Sequence, residues 1–146
     1  MTNITRILSL LFVLCFLTSV VSADEPSPLT KEKIAVLISE PEGELYTYIP
    51  NTLGLSEKEI RDVTVKALSG RAWKTLKIED QLVIGYLHHR KTESKVTFKL
   101  DSDGINLHHH TFRTNRKGER TRESVPKGWL NNLEKDIIRL MGIAGV

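Results

Sequence analysis

Residues 95–112, with the sequence KVTFKLDSDGINLHHHTF, form the stretch that decides the fold. Apolar side chains alternate with lysine and threonine over residues 95–100, which is the two-residue period of a strand with one buried face. Residues 101–104 (DSDG) have the composition of a tight hairpin turn, with Gly104 placed for a positive φ. Residues 105–112 then return as a second strand. The stretch therefore predicts an antiparallel hairpin with one apolar and one polar face.

Further strands are predicted upstream of this hairpin. Apolar residues alternate over residues 73–87, and Glu79-Asp80-Gln81 interrupts them, so two short strands are expected there. Residues 44–49 alternate around two tyrosines and predict another strand. The short apolar run at residues 34–38 either pairs with that strand or ends a short helix, because five residues do not settle the period.

Two helices complete the predicted fold. Ser56 and Glu59 form a capping box at the start of a helix over residues 57–69. A second helix over residues 129–141 carries an apolar stripe that begins at Trp129. Because a sheet with one apolar face needs a cover, we expect both helices to pack there. The prediction is an α+β fold: an antiparallel sheet of three to five strands with two helices packed on one face.

The alternation also predicts which side chains are buried. Apolar residues of the hairpin should pack against apolar residues of both helices, and the predicted contacts join Val96, Phe98, Leu100, Ile105 and Leu107 to Ile60, Val63, Leu133 and Ile137. Lys95 and Lys99 then fall on the opposite face of the sheet, which we expect to face solvent. A structure in which Lys95 and Lys99 are buried, and Val96 and Phe98 are not, would mean that the register is reversed.

The N-terminus has the features of a signal peptide. A basic residue precedes an apolar run that is short for a bilayer crossing, which needs about 20 residues, and Val21-Ser22-Ala23 has the small-x-small pattern of a cleavage site. An uncleaved N-terminal anchor is the alternative. The predicted organisation is a signal peptide (1–23), a flexible N-terminal lead (24–32) and a single α+β domain (33–146).

Cysteine usage and charge bear on the compartment. The single cysteine, Cys15, lies inside the apolar run, without the preceding small residues that lipid attachment requires. A cysteine-free mature domain excludes thiol catalysis and is typical of the bacterial envelope. We predict a periplasmic or secreted protein, cleaved near Ala23, with no transmembrane segment in the mature chain. The net charge of +3 indicates no particular partner.

All five histidines fall at positions 88, 89, 108, 109 and 110. If the apolar residues of the second hairpin strand face the core, His109 points inward and His108 and His110 point outward together. Such a pair could hold zinc or copper, with His88 or His89 as a third ligand. No acidic residue adjoins the histidines in sequence and no known metal-site spacing is present, which favours a polar face decorated with histidine.

A basic segment is the second feature that could bind a ligand. Residues 88–127 contain ten Lys/Arg against five Asp/Glu. Guanidinium groups bind phosphate and carboxylate bidentately, so we predict binding to an anionic envelope component or an envelope protein. The predicted anion- or partner-binding residues are Lys95, Lys99, Arg113, Arg116, Lys117, Arg120 and Arg122. Most of them lie in residues 113–128, the basic loop, whose simpler interpretation is a solvated loop. Nucleic acid is not an expected partner of an exported protein.

Catalytic patterns are missing from the sequence. No serine lies in a G-x-S-x-G context, and there is no glycine-rich phosphate loop. Asp101 and Asp103 resemble part of a calcium loop that lacks its closing glutamate. No catalytic residue is therefore predicted.

The helix WLNNLEKDI at residues 129–137 carries a family resemblance. Together with the preceding helix, tryptophan and strands, over residues 45–141, it resembles a group of small exported bacterial proteins, many of them lipoproteins, that end in a W-x-x-x-L-x-x-x-I helix. The resemblance implies the fold and an envelope location, and it implies no site residues because the motif is structural. The chain departs from the group at Cys15 and in its longer, more basic segment from His108 to Arg122.

The sequence thus predicts an exported, non-enzymatic envelope binding or accessory module that uses the outer sheet face and the basic loop. The alternative is a metal-binding protein that holds zinc or copper through the predicted metal residues His88, His89, His108 and His110. The third hypothesis is an enzyme of unknown class.

Overall fold

The computed structural model describes residues 29–146, so the predicted signal peptide, Cys15 and most of the predicted lead lie outside the described residues. The elements follow in the order α1 (Lys31–Ser39), β1 (Glu44–Pro50), α2 (Glu57–Gly70), β2 (Lys74–Glu79), β3 (Leu82–His89), β4 (Thr92–Leu100), β5 (Gly104–Thr114), β6 (Arg120–Glu123) and α3 (Lys127–Ala144). The α+β class is confirmed. The described residues form six strands and three helices, more than the predicted three to five strands and two helices.

All strands join one antiparallel sheet in the order β1-β5-β4-β3-β2. The strand β6 pairs with β5 at Phe112–Thr114, on the edge that β1 occupies further along β5. The expected division of residues 73–87 into two strands is confirmed by β2 and β3. The expectation of one long loop over residues 113–128 is wrong, because the chain turns there and returns as β6.

The apolar core lies between the sheet and the helices α2 and α3. All nine side chains predicted to meet there belong to one buried cluster, and each is at most 6% exposed. Phe98 of β4 stands opposite Leu107 of β5, so the predicted register is confirmed. Burying apolar side chains of this kind stabilises the fold by about 1.5–3 kcal/mol each, which is why the alternation decides the register.

The capping box of α2 forms as predicted, whereas the turn before β5 differs from the prediction in its backbone conformation. Ser56 and Glu59 form the capping box that begins α2. The turn before β5 forms, but Gly104 is absent from the residues with positive φ. Glycine is needed there for another reason, since a Cβ at Gly104 would lie 2.3 Å from the carbonyl oxygen of Ile49 on β1.

The helix α1 covers the face of the sheet opposite α2 and α3, which we call the outer face. Of the two alternatives for residues 34–38 the helix is correct, and Thr30 caps it. Leu37 is buried, and the ammonium of Lys33 lies 5.6 Å from the ring of Tyr86 on β3. The outer face is therefore covered over part of its area, and the expectation that it faces solvent is wrong there. Within residues 29–146 no helix is long and apolar enough to cross a membrane.

Candidate functional site

Lys95, one of the predicted anion-binding residues, lies on the outer face as expected but is only 1% exposed. Its ammonium donates to the carbonyl oxygens of Glu40 at 2.7 Å and Pro41 at 2.8 Å, just after α1. Burial lowers the pKa of Lys95, although the Glu40 carboxylate opposes this shift. Lys95 therefore holds the end of α1 against the sheet, and its ammonium is already engaged within the chain.

Arg120 is also engaged within the protein. Its guanidinium contacts both carboxylate oxygens of Glu40, at 2.7 and 3.2 Å, and reaches Glu93 at 3.2 Å. Glu93 is 4% exposed and also lies 3.6 Å from the ammonium of Lys33. This network joins α1, β4 and β6 on the outer face. Because paired arginine offers little charge to a ligand, Arg120 contributes mainly to the docking of α1.

The two outward histidines each face a carboxylate that follows α1. His108 Nδ1 lies 3.8 Å from Glu42, and His110 Nδ1 lies 3.6 Å from Glu40. Both nitrogens are buried and find no hydrogen-bond partner among residues 29–146. Glu42 also receives the ammonium of Lys99 at 2.6 Å. His108 and His110 thus share a face as predicted.

The remaining histidines are divided between the two faces. His88 shares the outer face, where it stands opposite Glu93 in the sheet register. His89 lies on the other face, with its ring 6.2 Å from that of Trp129. His109 points inward and is 6% exposed, as the alternation predicts. In the part of the chain that the structure describes, no three His, Cys, Asp or Glu side chains are arranged to hold a metal ion.

Two turns bring exposed cations together at one end of the sheet. The β3–β4 turn meets the end of β5, just before the turn of the β5–β6 hairpin, where the amide of Thr114 donates to the carbonyl of Lys91 at 2.9 Å. We call this group the cationic pole, and its members are Arg90, Lys91, Arg113, Arg116, Lys117 and Arg122. All six are exposed, and within residues 29–146 none forms an ion pair with a carboxylate.

The carboxylate in the turn of the β5–β6 hairpin is held by a neutral partner. Glu119 accepts a hydrogen bond from the side-chain amide of Asn115 at 2.7 Å, which closes the β5–β6 turn. At the opposite end of the sheet, the β2–β3 and β4–β5 turns carry Asp80, Asp101 and Asp103. Asp80 pairs with Arg61 at 2.8 Å, whereas the cations of the pole form no such pair among residues 29–146, so an anion is attracted to the pole.

Sequence reasoning found four members of this pole and missed Arg90 and Lys91. These two residues are 22 or more positions from Arg113 in the chain, and only the pairing of β4 with β5 places them beside it. A two-residue turn between alternating strands is the signal that would have found them. Lys95 and Arg120 are engaged by the segment that follows α1, and Lys99 is paired with Glu42.

Comparisons of this chain with known protein families, with curated proteins and with solved structures find no match.

Proposed function

We propose that this protein is an exported, non-enzymatic binding or accessory module of the bacterial envelope that holds an anionic envelope component at its cationic pole. One observation carries the proposal: six exposed cations from two turns and the adjoining strands lie at one end of the sheet, with no carboxylate paired to them among residues 29–146. Export rests on the predicted cleavage near Ala23, with a periplasmic or secreted destination.

The chemistry of the pole favours phosphate. Three of the exposed guanidiniums, those of Arg90, Arg116 and Arg122, form no ion pair or side-chain hydrogen bond within the described residues. A guanidinium binds phosphate oxygens through two parallel hydrogen bonds, and neighbouring cations reinforce one another at a surface. The proposed surface is smaller than the one the sequence predicts, because α1 and its ion pairs occupy part of the outer face.

Charge reversal at the hairpin tests the proposal. The triple substitution Arg116→Glu, Lys117→Glu and Arg122→Glu should weaken binding to vesicles that contain phosphatidylglycerol by more than about tenfold, since each basic residue near such a surface contributes about 1 kcal/mol. Binding is measured by vesicle cosedimentation against phosphatidylcholine alone. The matched control applies the same change of charge to Lys31, Lys66 and Lys135, which are exposed and lie on the three helices.

Two arms of this experiment distinguish the sources of phosphate. Soluble polyphosphate is added to the protein and vesicles at low salt. Displacement of the vesicles indicates a polymer ligand. Vesicle binding that polyphosphate leaves unchanged indicates a lipid surface. Both interactions should weaken with salt. Equal binding by the hairpin and control variants would remove the cationic pole from the proposed function.

Metal binding is the second candidate function, and the unpartnered Nδ1 atoms of His108 and His110 are the observation that supports it. Zinc and copper bind neutral imidazole, so binding should fall as the pH is lowered toward 5. We expect calorimetry at neutral pH to give weak binding of several ions per chain, because the described residues offer no group of three ligands. Micromolar binding of one ion per chain that is lost in a His108→Ala, His110→Ala variant would contradict this expectation.

A further inference from the structure

A cavity of about 300 Å³ opens at the sheet edge between β1 and β6. Along β5 the pairing with β1 ends at Glu44 and His109, and the pairing with β6 begins at Phe112 and Glu123. Residues 110–111 lie between these pairs, so the gap between the two short strands forms the cavity. The polar side chains that line it are Glu44, His109, His110, Thr111, Glu123 and Ser124.

The deepest lining residues are two buried polar side chains of β5. His109 is 6% exposed and Thr111 is 2% exposed. The Thr111 hydroxyl lies 3.3 Å from His109 Nδ1 and 2.7 Å from the Ser94 hydroxyl. Glu44 of β1 and Glu123 of β6 lie near enough to His109 for their charges to act on its imidazole. Two carboxylates and a buried imidazole therefore line one opening, and the cavity is suited to a ligand that donates hydrogen bonds.

The lining has a definite electrostatic character. Burial lowers the pKa of His109, and the carboxylates of Glu44 and Glu123 oppose that shift only in part. The imidazole is therefore neutral at pH 7, and when Nδ1–H donates to Thr111 the Nε2 atom is left as an acceptor. All six polar side chains can accept a hydrogen bond, and none carries a fixed positive charge.

From this lining we propose that the cavity binds the cationic head of a ligand, an ammonium or guanidinium group, between Glu44 and Glu123 above His109. The volume is at the lower end for ligand pockets, which suits a group of side-chain size. Val125, a further lining residue that is 45% exposed, offers an apolar contact for the alkyl chain behind such a head. This site is separate from the cationic pole and attracts the opposite charge.

Nuclear magnetic resonance titration tests the site with defined probes. The protein is purified from cells that express the whole chain, labelled with ¹⁵N, and titrated with agmatine and with cadaverine. We expect saturable amide shifts confined to residues 43–44, 109–111 and 123–125. The double substitution Glu44→Gln, Glu123→Gln should weaken binding at least about tenfold, since hydrogen bonds between two charged groups are replaced by weaker ones.

The controls separate a built site from general attraction. Glu32→Gln with Glu57→Gln removes the same charge from exposed positions in the first turns of α1 and α2, and should leave binding unchanged. Titration with an acetylated tripeptide that has a central arginine tests whether the ligand is a protein side chain or a free amine. Binding of the tripeptide indicates a side chain, binding of agmatine alone indicates a free amine, and either outcome supports the site. Absent or unsaturable shifts, shifts outside the cavity, or tighter binding of succinate than of agmatine would overturn the proposal.

Discussion

Replacing Lys95 with alanine is expected to lower the free energy of unfolding by about 2–4 kcal/mol. The substitution removes the hydrogen bonds of an ammonium that is 1% exposed and leaves the carbonyls of Glu40 and Pro41 without a partner. Hydrogen bonds to charged groups contribute about 1.5–3 kcal/mol each, and relief from burying the charge offsets part of their loss. Equilibrium unfolding in urea measures the change, and amide hydrogen exchange should show that α1 opens more readily than α2.

Lys99 provides the matched control for this prediction. It lies on the same face of β4, but its side chain is 52% exposed and its partner is Glu42. Exposed ion pairs contribute about 0–1 kcal/mol, so Lys99→Ala should cost less than 1 kcal/mol. A third variant, Lys95→Met, keeps the alkyl stem. Full recovery of stability in that variant would show that packing, and not the ammonium, accounts for the loss.

Replacing Gly43 with alanine should cost about 3–5 kcal/mol, because the new methyl group has no space. Gly43 has a φ of +90°, and a Cβ there would lie 2.0 Å from the carbonyl oxygen of His109 and 2.5 Å from its carbon. Both atoms are backbone atoms of β5 and cannot rotate away. The chain before β1 must therefore move from the sheet, which also disrupts the pairing of Glu44 with His109.

Gly54 is the control that distinguishes steric overlap of a new methyl group from strain in the backbone conformation. It has a φ of +65°, but no atom of the described residues lies within 4 Å of its Cβ position. Gly54→Ala should therefore cost only the left-handed conformation, about 1 kcal/mol. Thermal and urea unfolding of both variants give the comparison. Equal losses of stability would mean that strain alone limits both positions and that the close approach at Gly43 is relieved by small shifts.

The core and the first long helix could be predicted because their signals are local. The alternation around Val96 and Phe98 identifies a face, and burial of that face excludes a slip by one residue. Ser56 and Glu59 satisfy each other within one turn of chain, so the beginning of α2 needs no distant partner. Residues 31–39 gave no comparable signal, since an apolar run of only five residues, 34–38, does not distinguish a helix from a strand.

The candidate sites were only partly predictable. Sequence reasoning recognised the basic residues near Arg116, but it placed Arg120 with them although this arginine pairs with Glu40 and Glu93. The cavity at His109 was not predicted, because it arises where two short strands meet one long strand without touching each other. Such a gap depends on where β1 and β6 end along β5, and strand ends are weakly encoded in sequence.

By itself, the sequence determined the α+β class, the register of β4 and β5 and the burial of their apolar face, because side-chain period and hydrophobic burial act between near neighbours. Only the tertiary structure decided what covers the outer face. Alternation assigns Lys95 to that face and says nothing of whether water or a helix lies above it, and α1 supplies the carbonyls that make its burial possible. Tertiary structure also decided that Arg90 and Lys91 lie beside the β5–β6 hairpin, because the strand order brings turns that are distant in sequence to one end of the sheet.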